Sequence, residues 1–481
     1  MRSIPALARF IGIDLGTARV KVGLFQPDGS LRAIQIIPHA GHMIPERGAV
    51  TQDAAAWWDA VCAGLRAISR AEDLSSVTAV AVCGQGPTLV ATDSRLRPRG
   101  PALTWMDKRA QAEADELGAV LGRPVDPGHY VAKALRLHRA DPDPERRWYF
   151  QSWDYLASLL SGVPHASSTW FEDEIGESGL PRDHFPPYVE AGTPVGAVTA
   201  AAAERTGLRE GTLVVAGTND GIASCIGAGL TRIGQSVILG GTSGGFVHCG
   251  EPVSGAWAPP PGTYPEPPGC RYLGATISSS GLALDWLGGL FGVHIYDEWL
   301  EEAAAIPVGA EGLLLLPYLA GLFLPYTADD RGPVRDADAR GVLFGLRAGH
   351  TTPHLVRAVV EGVTYAIRQV YEATMAAGAA DGAVTVGGQA HSPLWNQIKA
   401  DVLGLPIDVP AVVEAGALGA ACLAAAGNGA YADVWEAARA MAHIRERLEP
   451  EPAARDHYQR LYREVYLPLY PRVRDLFKQL S

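Results

Sequence analysis

Cysteine is scarce in this 481-residue chain: six residues, Cys62, Cys83, Cys225, Cys249, Cys270 and Cys422, with no C-x-x-C pair among them. That spacing argues against a zinc site and a disulfide framework and fits a reducing, cytoplasmic setting. Charge is sparse too, at 19% of residues, and basic residues are the minority, 40 against 52 acidic. With no basic stripe, nucleic acid is not an expected partner. Long apolar runs are missing. The most apolar stretch, Gly312 to Pro325, is too short to cross a bilayer and contains Pro317, so no membrane is expected as a partner. The opening MRSIPALARF lacks a long apolar core and a small-residue cleavage site, so no secretory signal is read there. Neither G-x-x-x-x-G-K-[ST] nor an opening G-x-G-x-x-G occurs, which excludes a Walker loop and a Rossmann start.

What is plentiful is glycine. The chain holds 55, well above the usual share of about 7%. Apolar residues make up 47%, an ordinary globular proportion, and the length suggests two large domains or about three smaller ones.

The chain opens on a buried-strand pattern, Phe10-Ile11-Gly12-Ile13-Asp14, running into a turn at Leu15-Gly16-Thr17. Strands are predicted at Val20–Phe25 and Leu31–Ile37, separated by the turn Pro27-Asp28-Gly29-Ser30, which makes an antiparallel meander. A helix over Ala54–Arg70 and a strand over Val77–Val82 follow, so the first domain begins as a mixed sheet. The same grammar recurs. Val237-Ile238-Leu239 enters Gly240-Gly241-Thr242-Ser243-Gly244-Gly245 and then a strand at Phe246-Val247. A strand at Arg271–Thr276, helices over Gly281–Phe291 and Pro353–Ala376, and a short strand Val384-Thr385-Val386 come after. The Pro/Gly-rich stretch Glu251–Gly269 is expected to be an exposed loop. The repetition predicts two similar domains facing each other, with the hinge near residue 245.

The glycines gather where strands end. In Gly12–Lys21, Asp14 leaves a buried strand beside a tight Gly16-Thr17 turn. Such a turn aims N–H groups and a hydroxyl at a phosphate, and the carboxylate suits magnesium; a plain β-hairpin with a capping Asp is the equal alternative. Gly240–Gly245 repeats the logic and also fits G-x-S-x-G around Ser243, but a serine-hydrolase elbow needs a helix next and a strand is predicted. Gly387-Gly388, followed by Ser392, Asn396 and Gln397, lets a planar ring lie against backbone, or is an ordinary strand-to-helix turn capped by Ser392. Asp220, after the strand Leu213–Ala216, opens a small-residue helix. It reads as a cap or as a general base.

Further motifs are Trp105-x-Asp107-x-Arg109, Asp336-x-Asp338-Ala339-Arg340-Gly341, and Gly341-Val342-Leu343-Phe344-Gly345-Leu346 followed by His354-Leu355-x-x-Ala358-Val359-Val360-Glu361. In this order, from Ile11 to about Tyr431, the segments resemble the FGGY family of carbohydrate kinases, the xylulokinase-like branch above all. The resemblance implies an α/β, actin/hexokinase-like (ribonuclease H-like) fold, two similar domains around a central cleft. Residues 1–245 would carry the sugar loops and the base, and residues 246–481 the nucleotide segments. The implied activity is ATP-dependent phosphorylation of a sugar hydroxyl, a ketopentose such as D-xylulose or another sugar such as ribulose, with ATP and Mg2+ as cofactors. Asp220 would be the catalytic base and Asp14 would stand near the magnesium. Gly16, Thr17 and Lys21 would line the first phosphate loop and Gly241-Thr242 the second. Gly281 would wall the nucleotide, and Gly387, Gly388 and Asn396 would meet adenosine. Gln85, Trp105, Asp107, Arg109 and Asp220 would bind sugar.

The chain departs from that pattern in three places. Gln85-Gly86-Pro87-Thr88 lacks the histidine of the usual G-Q-x-H-G, Ala132–Arg136 keeps Lys133 but not the expected Pro and Trp, and Leu322–Asp329 is an insertion. The expected partners are a small-molecule sugar and ATP. A homodimer is allowed, and the oligomeric state is open. Readings from other classes are a non-catalytic nucleotide sensor of the same fold and a serine hydrolase built on Ser243.

Overall fold

The computed structural model describes residues 8–39, 41, 43, 48–167, 172–251, 264–293, 296–324, 334–336, 338–375 and 378–480. Two compact units emerge. The first comprises Met1–Gly229, Pro259–Pro265 and Glu414–Ala442; the second comprises Leu230–Ala258, Glu266–Val413 and His443–Ser481. The division is therefore not a single cut along the sequence.

The first unit is built on β1 (Arg9–Leu15), β2 (Arg19–Phe25), β3 (Leu31–Pro38), β4 (Val77–Gly84), β5 (Pro194–Ala197) and β6 (Leu213–Val215), in sheet order β3-β2-β1-β4-β6-β5. The first three form the predicted meander, β4 and β6 run parallel to β1, and β5 closes the edge antiparallel. Ile11, Ile13, Val80 and Val82 are fully buried, as expected of central strands covered on both faces.

The second unit repeats the plan with β7 (Ser236–Gly240), β8 (Gly244–Gly250), β9 (Arg271–Ile277), β10 (Ala383–Val386), β11 (Ile407–Pro410) and β12 (Ile444–Leu448), in order β9-β8-β7-β10-β11-β12. Again a meander meets two parallel strands and an antiparallel edge. One mixed sheet occurring twice is the actin/hexokinase-like architecture that the family resemblance implies.

Helices cover the sheets: α1 (Ala54–Ser69), α2 (Tyr130–Ala140), α3 (Ser152–Ser161), α4 (Asp220–Gly227), α5 (Gly281–Phe291), α6 (Thr352–Thr374), α7 (Pro393–Leu403) and α8 (Ala415–Gly427). Asp53 caps α1 through the Ala55 N–H at 2.9 Å, and α1 packs on β2 and β3. The alanine- and glycine-rich α8 returns to the first unit and packs on β1, β4 and α4. Its glycines permit that approach: a Cβ on Gly419 would fall 1.8 Å from the Ala223 carbonyl oxygen. The long α6 is the amphipathic helix predicted for the second half, and it lies against β8 and β9.

All six cysteines are buried and none is joined in a disulfide. No helix among the described residues is long and apolar enough to cross a membrane. Of the predicted loop Glu251–Gly269, residues 252–263 lie outside the described residues. Leu322–Leu324 of the insertion pairs with Val334–Asp336 as a short hairpin, and residues 325–329 lie outside the described residues.

Candidate active site

The parallel strands β1, β4 and β6 all end at the same edge of the first sheet, where ligands of open α/β sheets usually bind. The backbone ties these ends together. Gln85 N–H donates to the Leu15 carbonyl at 2.8 Å and Gly84 N–H to the Thr218 carbonyl at 3.2 Å. Asp14, Gln85 and Asp220 therefore leave neighbouring strand ends.

Asp14 is buried, and Lys21 Nζ lies 3.5 Å from its Oδ2 and 2.6 Å from Oε2 of Glu414. Burial pushes the Asp14 carboxyl above its usual range, against the pull of Lys21 and with the push of Glu414. Burial also disfavours the Lys21 charge, but the two carboxylates outweigh it and hold the ammonium protonated. No group of three or more His, Cys, Asp or Glu is set to hold a metal among the described residues. Magnesium needs no such cage, since one or two carboxylates beside substrate phosphates and waters suffice; the single buried carboxylate of Asp14 fits that demand.

Asp220 is the first residue of α4, and the cap is its neighbour: Asn219 Oδ1 accepts the Gly221 N–H at 2.9 Å. Capping is therefore not what requires an acid at Asp220, although its Oδ1 also accepts from Gly221 at 2.8 Å. Burial, then the charge of Asp14, raises its carboxyl to about 7, where a general base works best at neutral pH.

Thr17 sits on the β1–β2 turn. The Trp105 indole N–H donates to its Oγ1 at 3.3 Å. Indole only donates, so the Thr17 hydroxyl accepts there and keeps its own proton for another acceptor. Gln85 is fully buried, and its Nε2 donates to Gln52 Oε1 at 2.8 Å. Its own Oε1 is buried with no protein partner.

Asp107 and Arg109 engage each other. Arg109 grips both oxygens of Asp107, with NH2 to Oδ2 at 2.7 Å and Nε to Oδ1 at 3.1 Å, and Asp107 also accepts the Val50 N–H at 3.2 Å. The pair braces the loop that carries Trp105. Lys133, on α2, braces it from below: its buried Nζ donates to the carbonyls of Pro87, Leu103 and Thr104 at 2.9, 3.2 and 2.8 Å. Burial lowers this ammonium to about 7.

In the second unit the strand ends are bare backbone. The Gly241-Thr242 turn between β7 and β8 is fastened to the start of α5: Ser280 N–H donates to the Thr242 carbonyl at 3.1 Å and Gly281 N–H to the Gly241 carbonyl at 2.9 Å. A Cβ on Gly281 would fall 2.7 Å from that Gly241 oxygen. Ser243 is followed directly by β8, so the strand-to-helix elbow of a serine hydrolase is absent. Gly387 holds φ +81°, with its missing Cβ position 2.5 Å from the Gly240 carbonyl oxygen, whereas the Cβ position of Gly388 meets open space. Ser392 caps α7, and buried Asn396 is pinned by Nδ2 to the Ala390 carbonyl at 2.8 Å, which fixes the turn between Gly388 and the helix.

Sequence reasoning missed Gln52, Glu414 and the bracing by Lys133. Gln52 lies next to the Asp53 cap with no motif around it, and Glu414 opens an alanine-rich helix far down the chain. The only signal for Lys133 was the lysine retained in a degraded motif.

Comparison with known proteins defines the class. The chain belongs to the FGGY family of carbohydrate kinases: the model of the family's N-terminal domain matches residues 9–125 and that of its C-terminal domain residues 236–427, together well over half of the chain. It is thus an ATP-dependent sugar kinase. Among its relatives, xylulose kinase of Staphylococcus epidermidis is 28% identical over 497 residues, covering 98% of both chains. Gluconokinase of Bacillus subtilis is 24% identical, covering 86% of both. The crystal structure of xylulose kinase from Rhodospirillum rubrum superposes with a TM-score of 0.77 at 28% identity, covering 98% of this chain and 100% of that one.

Proposed function

We propose that the protein transfers the γ-phosphoryl group of Mg-ATP to a hydroxyl of a ketopentose, D-xylulose or a close relative such as ribulose. The observation that carries this reading is the pairing, at one sheet edge, of a carboxyl raised to about 7, Asp220, with a buried acceptor lacking a protein partner, Gln85 Oε1. The names of the xylulose kinase relatives support the substrate class.

In this reading Asp220 takes the proton of the sugar hydroxyl as its oxygen attacks phosphorus, and the bond to the β–γ bridging oxygen breaks, releasing ADP. Thr17 donates its free proton to a phosphoryl oxygen, and Lys21 keeps cationic charge at the same turn. Magnesium, when bound, would neutralise phosphate charge, with Asp14 holding it. Gln85 accepts from a sugar hydroxyl, Trp105 packs a sugar face, and Asp107 with Arg109 shapes that loop. On the nucleotide side, Gly241, Thr242 and Gly281 cradle phosphates, and Gly387 and Gly388 give adenosine access to backbone beside the turn that Asn396 fixes. The first unit then carries the sugar, base and first phosphate-loop functions, and the second unit the remaining nucleotide functions. Buried cysteines outside any disulfide suit a reducing cytoplasm.

The test is ADP release with D-xylulose, L-xylulose, D-ribulose, gluconate and glycerol as acceptors. A ketopentose should give the highest kcat/KM. Turnover of gluconate or glycerol alone would overturn the ketopentose assignment.

A further inference from the structure

Gln52 is fully buried at the end of a short strand before α1, and three of its hydrogen bonds set its orientation. Its Nε2 donates to the Thr17 carbonyl at 2.7 Å, and its Oε1 accepts from Trp57 Nε1 at 3.1 Å and from Gln85 Nε2 at 2.8 Å. Two of these partners have no choice of role. A backbone carbonyl only accepts and an indole N–H only donates. Between them they fix which end of the Gln52 amide is which: the nitrogen must face Thr17 and the oxygen must face Trp57. That oxygen also faces Gln85, so Gln85 must present its NH2 there. The polarity of the second amide follows from the first, and Gln85 Oε1 is left turned away, buried and without a protein partner. A buried acceptor without a donor is costly, and a donor from a ligand removes that cost.

We propose that Gln52 is a positioning residue that locks the Gln85 amide with its oxygen toward the sugar, so that the site selects a substrate whose hydroxyl donates at that point. The inference rests on the sugar-kinase reading of Gln85 above. It adds a specificity rule: an analogue lacking that hydroxyl is rejected because Gln85 has no freedom to turn.

The test measures sugar KM, ATP KM and kcat for Gln52→Met, Gln85→Met and the double variant, with D-xylulose and its singly deoxygenated analogues. Each single variant should raise the D-xylulose KM about tenfold, equivalent to about 1.4 kcal/mol. The double variant should be no worse than Gln85→Met alone, because Gln52 acts through Gln85. Gln52→Met should also lose the wild-type discrimination against one deoxy analogue. Gln52→Glu, which keeps an acceptor oxygen for Gln85 and Trp57 and, in its protonated form, a donor for the Thr17 carbonyl, should keep the sugar KM within about threefold when assayed at the acid end of the activity range, and guards against a folding defect in the methionine variant.

An unchanged sugar KM in Gln85→Met would remove Gln85 from the sugar site and this inference with it. If Gln85→Met responds but the double variant shows the product of the two single effects, the positioning role alone fails. A rise in ATP KM without any rise in sugar KM for Gln52→Met would also overturn it, since Gln52 would then serve only the Thr17 turn.

Discussion

The two sheets share one pattern, a meander, two parallel strands and an antiparallel edge, but along the chain the edge strand precedes the last parallel strand in the first sheet and follows it in the second, and they finish differently. In the first unit, side chains stand at the strand ends: Asp14 lies next to last in β1, Gln85 follows β4, and Asp220 opens α4 beyond β6. In the second, the matching ends of β7 and β10 are Gly240-Gly241 and Gly387-Gly388, which carry no side chain, and Gly388 has open space where a Cβ would stand. One scaffold thus offers two chemistries. A hydroxyl to be deprotonated needs a directional acceptor and a base of matched pKa. Phosphates and a flat ring need N–H groups and unobstructed backbone. Substitutions at the first set should therefore act on the sugar and on the chemical step, and those at the second on the nucleotide.

The largest expected effect is at Asp220. Asp220→Asn keeps the shape and the contact with the Gly221 N–H but cannot take a proton. Its kcat should fall by about 10³, within the usual range for loss of a general base, while ATP KM stays near wild type. Retention of most turnover would break the comparison at its centre. The same carboxyl sets the pH dependence. Its pKa is raised to about 7, and only the deprotonated form accepts the sugar proton. The kcat/KM should climb about tenfold per unit below pH 7 and level off above it.

Stability runs the other way. Because the folded pKa of about 7 lies above the ordinary aspartate value of 3.8, the folded state binds a proton that the unfolded state has released between those values. The contribution is full below about pH 4 and is lost as pH rises through about 7. Asp220→Asn should therefore raise Tm more at pH 8 than at pH 5, read by thermal melts; an equal change at both would contradict the raised pKa.

At the second set, Gly387→Ala and Gly388→Ala separate backbone geometry from ligand access. Gly387 has φ +81° and a carbonyl oxygen 2.5 Å from the Cβ position, so alanine there should lower stability by about 1–3 kcal/mol and raise ATP KM. Gly388 has open space at that position, so alanine should leave Tm unchanged and raise ATP KM a few-fold if a ring lies against it. Sugar KM should stay within about twofold for Gly388→Ala. A rise in sugar KM with no change in ATP KM would reverse the assignment of this turn.

The glycine-bearing strand ends were legible in the sequence because glycine's backbone demands are local: Gly12–Lys21, Gly240–Gly245 and Gly387-Gly388 all fall where strands stop. The repeated meander was legible for the same reason, through short turns between buried apolar runs. Asp220 was legible only as a choice between cap and base, and the structure shows Asn219 taking the cap. The interactions between distant segments were not legible. Gln52 meets Gln85 33 positions on, and Lys21 meets Glu414 across most of the chain; no spacing rule connects such pairs. Nor does a motif reveal that Asp107 and Arg109 pair with one another.

The smallest effect sharpens the comparison inside the first unit. Trp105 is assigned both a ring that packs sugar and an N–H that orients Thr17. Trp105→Phe keeps most of the ring and deletes only the N–H donated at 3.3 Å. A hydrogen bond that long is worth at the low end of about 0.5–1.5 kcal/mol, so kcat should fall two- to threefold by that estimate, with sugar KM unchanged. Trp105→Ala removes the ring as well and should raise sugar KM further. Equal losses in the two variants would mean that the indole N–H is the whole contribution, and that Trp105 belongs to the Thr17 turn and not to the sugar.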